Sequence, residues 1–242
     1  MSDLVVVSWN IEHGLDAGGA ASMLRDHPIA RLADVVLLQE MDEAGVGVIA
    51  AALTGEYAYA RASVHRATGR DFGNAVIARH PVTDSAVTGL PHRAAVRGEP
   101  RITISARVGV PQGAVIAVST HTEVATMSLR RRRDQFATAA AAPSCACPIV
   151  VGGDFNTASR RSIGALDAAM GSMGFLRASS TDAVTFRRFG RGFTMDHLFT
   201  RGLDVVGTGV IGPAPASDHR PIWTSFSYRT DATRCRVHPP PR

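Results

Sequence analysis

Carboxylates, carboxamides and imidazoles recur at particular places in this chain: Asn10 and Glu12, Glu40, His121, Asp154 and Asn156, Asp196, and Asp218 with His219. Each lies at the edge of a short apolar run. Oxygen donors gathered in one place make a hard site of the kind Mg²⁺ or Mn²⁺ prefers. His beside Asp adds acid–base chemistry or stabilisation of charge in a transition state. The chemistry on offer is a divalent-metal centre with a proton-handling partner.

Such residues act together only if a scaffold brings their strand ends to one edge, because loops at strand ends are where a rigid frame presents functional groups. Residues 4–9, 34–39 (DVVLLQ) and 148–151 (PIVV) read as buried strands, being short, apolar and β-branched. Further strands are expected over 57–61, 74–78, 82–88, 101–108, 114–120, 196–199, 203–210 and 220–228, between Pro and Gly punctuation. Helices are expected over 20–32, broken near Pro28, and over 43–53, 127–142 and 162–173. Many strands and few helices predict two packed sheets with helices outside, as one domain over residues 1–228. The remaining 229–242, ending in three prolines, reads as a disordered tail.

Composition narrows the class. The chain has 242 residues, 45% hydrophobic and 19% charged, which is too apolar for disorder. No apolar run reaches the roughly 20 residues a membrane span needs. The start lacks a basic stretch and a small-residue cleavage site, so no secretory signal is read there. Three cysteines are too few and odd in number for a disulfide framework. These features together point to a cytoplasmic protein. The net charge of +5 leans toward anionic partners. All 26 basic residues are Arg, and that bias can equally reflect base composition.

Seven short motifs follow one another in order: Trp9-Asn10-Ile11-Glu12, Leu38-Gln39-Glu40, Gly73 to Ile77 (GNAVI), Ser119-Thr120-His121-Thr122, Gly152-Gly153-Asp154-Phe155-Asn156, Met195-Asp196-His197 and Ser217-Asp218-His219. Each alone is weak. Together, from about residue 5 to 226, they resemble the endonuclease/exonuclease/phosphatase superfamily. The resemblance implies a four-layer α/β/β/α sandwich, DNase I-like, and a Mg²⁺- or Mn²⁺-dependent phosphoester hydrolase. It assigns Glu40 as the main metal-binding residue, supported by Asn10, Glu12 and Asp218. Glu12 stands where the family usually has Asp, one methylene shorter. It further implies that Asp154 and Asn156 orient the attacking water and hold a phosphate oxygen, and that Asp196 orients His219. His121 stands where apurinic endonucleases carry Tyr, and is expected to contact phosphate or protonate the leaving group. Asn74 and Arg101 are candidates for binding substrate.

Other residues have plainer readings. Asp34 precedes its strand and reads as a turn or cap residue. His197 should face away from Asp196, since side chains alternate along a strand. His13, His27, His65, His80, His92 and His238 read as surface residues. Arg130 to Arg133 cannot all face one ligand, because successive helical residues point roughly 100° apart. Arg132 and Gln135 read as packing contacts and the others as solvated surface. Cys145-Ala146-Cys147 lacks the partner pair a zinc site needs. Gly152-Gly153 is a tight turn and no P-loop, there being no Lys. The partner expected is nucleic acid, with a small phosphorylated metabolite or lipid headgroup as the alternative and an inactive binding scaffold as the minor one. No protein partner is indicated. Arg61, Arg66 and Arg70, and Arg187, Arg188 and Arg191, are the loop arginines placed to grip a phosphate backbone.

Overall fold

The computed structural model describes residues 4–66, 68–95, 98–141 and 147–229. The first half of the chain runs β1 (Leu4–Asn10), α1 (Ala17–Asp26), β2 (Val35–Met41), α2 (Glu43–Ala52), β3 (Glu56–Val64), β4 (Asp71–Ala78) and β5 (Val82–Gly89). It continues with β6 (Ile102–Val110), β7 (Gly113–His121), α3 (Leu129–Ala140), β8 (Ile149–Asp154) and α4 (Arg160–Ser172). The end of the chain adds β9 (Leu176–Arg177), β10 (Phe186–Arg188), β11 (Arg191–Phe193), β12 (Asp196–Arg201), β13 (Leu203–Val210) and β14 (Ile222–Tyr228). Every strand and helix expected from the sequence is present. The short β9 and the β10–β11 hairpin were not expected.

Two six-stranded mixed sheets form, in the orders β13-β14-β1-β2-β4-β3 and β5-β6-β7-β8-β12-β9. Their parallel pairs, β1 with β2 and β7 with β8, lie near the middle of each sheet. Strands buried on both faces must be apolar at both parities, and the core clusters show the split. Leu4, Val6, Val35 and Leu37 pack against Ile104, Ala106, Val115, Ala117 and Val150 between the sheets. The alternate residues Val7, Trp9, Val36 and Leu38 pack outward with Leu24, Val46 and Ile49 of α1 and α2. On the far side Val118, Ile149, Val151 and Phe199 pack with Phe136 of α3 and Leu166 and Met170 of α4. The result is the four-layer α/β/β/α sandwich.

Close approach of the sheets explains the double glycine. A Cβ on Gly152 would lie 2.6 Å from Leu198 and 2.7 Å from Leu37, and one on Gly153 would run into the Thr120 carbonyl. Polar ties also cross the interface. Gln39 Nε2 donates to Ser119 Oγ at 2.9 Å, and Ser119 Oγ donates to the Leu38 carbonyl at 2.8 Å. Asp34, at the bend before β2, accepts from the Val5 amide of β1 at 2.7 Å. Among the described residues no helix is long and apolar enough to cross a membrane. Cys147 is buried and disulfide-bonded. Such bonds persist mainly in oxidising compartments, so the cysteines lend no support to a cytoplasmic setting. The expected disordered tail lies outside the described residues apart from Arg229.

Candidate active site

Register across three neighbouring strands builds half of the site. His121 of β7 pairs with Asp154 of β8, and Asp154 pairs with Asp196 of β12. The three side chains thus sit in a row at one edge of the second sheet. The first sheet supplies Asn10 from the end of β1 and Glu40 from β2.

Glu40 reaches the site through a break in alternation. Val36 and Leu38 face the helices, so Glu40 would too in a regular strand. Instead the β2–β4 pairing shifts between Leu38 and Met41, Glu40 has φ 60, and Met41 takes the place in the helix-facing core. Glu40 is the residue the pairing skips, as a β-bulge permits. Glu12, His13 and Asn156 also have positive φ, at 41, 59 and 51. Conformations of this kind cost of order 1–3 kcal/mol each and tend to gather where function demands them.

Asn10 stands at the centre. Its Nδ2 donates to Glu40 Oε1 and to Asp154 Oδ2, both at 3.1 Å, while its Oδ1 accepts from the Glu12 amide. It therefore turns its NH₂ to the carboxylates and supports them, with its oxygen on the Glu12 amide. His121 Nε2 lies 3.8 Å from Glu40 Oε1 and 3.4 Å from Asp154 Oδ2. Donor atoms of Glu40, His121 and Asp154 all lie within 4.8 Å of one another, as do those of Asp154, Asp196 and His219. Asp154 belongs to both groups. Glu12 and Asp218 belong to neither: Glu12 Oε2 accepts from the Asp218 amide at 3.1 Å.

The two imidazoles differ in state. His219 Nδ1 is 2.8 Å from Asp196 Oδ2, and its Nε2 is 3.8 Å from Asp154 Oδ2. Burial opposes charge on His219, but Asp196 and Asp154 outweigh it and raise its pKa. Arg101 Nη1 lies 2.9 and 3.0 Å from the two ring nitrogens of His121. Burial, and then the Arg101 charge, push the His121 pKa well below the usual value, so the ring is neutral. Burial likewise would raise the Glu40 pKa, but His13, His121 and Arg101 overcome it and hold the carboxyl well below its ordinary range. Burial raises the Asp154 pKa, with Asp196 and Glu40 adding to it.

The donor set fits a hard divalent cation, with carboxylate oxygens leading and one neutral imidazole beside them. The orphaned Asp196 Oδ1, buried without a partner, shows that the acidic edge is not internally satisfied. Asn156 Nδ2 donates to the Thr122 carbonyl at 2.9 Å, and its amide donates to Asp154 Oδ1 at 2.7 Å. Asn74 sits in β4, with its Nδ2 donating to the Ile102 carbonyl at 2.9 Å. Its amide nitrogen thus serves as a tie between the sheets.

Three residues near the site went unread in the sequence. His13 Nδ1 is 2.9 Å from Glu40 Oε2, and the His13 ring stacks on His65 at 3.8 Å, so neither is a plain surface histidine. Both line a cavity of about 580 Å³ with Phe72, Arg66, Glu99 and Arg101. Phe186 of β10 lies against the His219 ring at 4.7 Å. The one available signal for His13 was its place directly after Asn10-Ile11-Glu12.

The Endonuclease/Exonuclease/phosphatase family model matches residues 7–219, spanning every site residue just described. The chain belongs to this family. The family's members are metal-dependent phosphoester hydrolases. Solved structures of the family share the fold. A protein from Beutenbergia cavernae has a TM-score of 0.78 at 20% identity, covering 94% of this chain and 72% of that one. D. rerio TDP2 complexed with single strand DNA product gives 0.70 at 19%, covering 93% and 98%. The mannosyl-6-phosphatase of Bacteroides thetaiotaomicron gives 0.69 at 18%, covering 93% and 100%. An Erwinia tasmaniensis UPF0294 protein is 36% identical over 83 residues, which is 34% of this chain and 30% of the relative.

Proposed function

We propose that this protein hydrolyses nucleic-acid phosphodiesters using bound Mg²⁺ or Mn²⁺. The observation that carries the reading is Asp154, shared between the Glu40–His121 group and the Asp196–His219 group. Glu40 and Asp154, with His121, would hold the cation. Bound there, it offsets the phosphate's charge and stabilises charge developing in the transition state.

The chain's own residues divide the remaining work. Asp154 orients the attacking water and takes up its proton. His219, fixed by Asp196 through Nδ1, presents a protonated Nε2 to a phosphate oxygen. Asn156 has its Nδ2 directed to the Thr122 carbonyl and to His121, so it braces the His121 side of the site. His121 is neutral, which unsuits it to protonate a leaving group; His219 is the better acid. Arg101 acts by fixing that state of His121.

One observation favours a second reading. The cavity beside Glu40 is of a size that holds a compact ligand, as a small phosphorylated metabolite would need. A panel of plasmid, single-stranded DNA, RNA, inositol phosphates and sphingomyelin, each with Mg²⁺, Mn²⁺ or excess chelator, separates the two. Metal-dependent cleavage of nucleic acid supports the first reading. Turnover of a small ester alone moves the choice to the second.

A further inference from the structure

A second groove, of about 500 Å³, opens between the starts of α3 and α4. Arg130, Arg132 and Arg161 line it, and no carboxylate does. Among the described residues neither Arg130 nor Arg161 forms an ion pair. Three arginines near the other side of the site are paired: Arg61 is 3.2 Å from Asp71, Arg70 pairs with Asp42 at 2.6 Å, and Arg66 is 3.9 Å from Glu99. Arg130 and Arg161 thus bring to this groove positive charge that no carboxylate offsets.

Arg132 ties the groove to the catalytic loop. It is 3% exposed, and its Nη2 donates to the carbonyls of Phe155 at 2.9 Å and Asn156 at 2.7 Å. Its Nε is buried without a partner, a cost that a nearby anion would offset. Ser128 gives α3 no side-chain cap, so amides at the positive end of that helix also remain open. Ala158, on the groove wall, is two residues from Asn156, a reach of at most about 8 Å along the chain. A strand with one phosphate at the metal centre can thus lay a neighbouring phosphate here.

We propose that this groove binds a backbone phosphate of a nucleic-acid strand, one or two nucleotides from the phosphodiester being cleaved. The proposal rests on the nucleic-acid reading above. It assigns Arg130, which the sequence suggested was solvated surface, and Arg161 to gripping that phosphate, with Arg132 buried behind them.

Binding of a fluorescein-labelled single-stranded 12-mer to the whole protein in excess chelator, followed by anisotropy across a salt series, tests it without turnover. The Arg130→Gln/Arg161→Gln variant should bind about tenfold more weakly at low salt. Its slope of log affinity against log salt should flatten by about 0.7, the worth of one phosphate on a single strand. Arg131→Gln/Arg133→Gln removes the same charge from exposed positions that do not line the groove, and should change affinity less than about twofold. An unchanged thermal midpoint in each variant keeps folding out of the comparison. Equal weakening by both pairs, or by neither, overturns the proposal. Adding Mn²⁺ afterwards separates it from the reading beneath it. A wild type that binds the strand at the groove and never cuts it overturns the nuclease reading and supports the groove. A wild type that cuts, with the Arg130→Gln/Arg161→Gln variant binding as tightly, overturns the groove alone.

Discussion

Adjacent residues of β12 lead to two buried imidazoles with opposite fates. Asp196 faces the site and meets His219 Nδ1 at 2.8 Å. His197, one residue on, faces α4, where Arg177 Nη1 donates to its Nδ1 at 2.7 Å and its Nε2 meets Thr157 Oγ1 at 2.6 Å. Arg177 is itself held by Asp167, through Nε at 2.7 Å. Burial, and then the Arg177 charge, push the His197 pKa well below 6.5, whereas two carboxylates raise that of His219. Both rings are almost wholly buried. The sign of the partner decides which of these two rings can hold a proton, and of the two it is His219 that lies beside Asp154.

Five expected outcomes would sharpen or break that contrast. The largest is loss of activity on exhaustive chelation, restored by Mg²⁺ or Mn²⁺. Full turnover in excess chelator would remove the metal from the site side of the comparison. Next, Asp154→Asn should keep the fold and lower kcat by ~10²–10⁴, the range for loss of a general base. Retained turnover in the folded variant would place the base elsewhere.

Smaller effects follow on the imidazoles themselves. His219→Ala should cost more in kcat than Asp196→Asn, and the double variant little more than His219→Ala alone, since Asp196 acts through His219. Additive losses measured in that cycle would give Asp196 an independent task. His197→Ala should instead leave kcat close to wild type and cost about 2–4 kcal/mol in urea unfolding, through lost packing and unpaired donors on Arg177. The same ring sets a pH dependence. An unfolded chain protonates His197 from about pH 6.5 downward, while the native ring stays neutral. Its contribution to stability is present above that pH and is lost as the pH falls below it, by up to about 1.4 kcal/mol per pH unit. Unfolding of His197→Gln should show a shallower loss between pH 6.5 and 5; an unchanged slope would mean another group carries it.

What the sequence revealed was what depends on local pattern. Alternation alone placed His197 opposite Asp196, and apolar runs with Gly and Pro breaks located β1, β2 and β8. Residues joined only by the fold were not legible. His13 reads as a surface histidine because its contact with Glu40 arises from backbone turns at Glu12 and His13. Arg70 looked free because its partner Asp42 is 28 residues away. The β10–β11 hairpin, Phe186 to Phe193, is too short and too rich in Arg and Gly to show a period, yet it places Phe186 on His219.

The slip in β2 has a consequence for how such a protein ages under mutation. Because the pairing passes over Glu40, nothing in the folding of β2 asks for a carboxylate there. Glycine would sit more comfortably at φ 60, by roughly 1 kcal/mol. Glu40→Gly should therefore relax the backbone and abolish turnover, while leaving Asn10 Nδ2 and the His13 amide without their acceptor. Backbone comfort alone would let this position drift; the hydrogen bonds of the site and the reaction itself are what hold a glutamate in it.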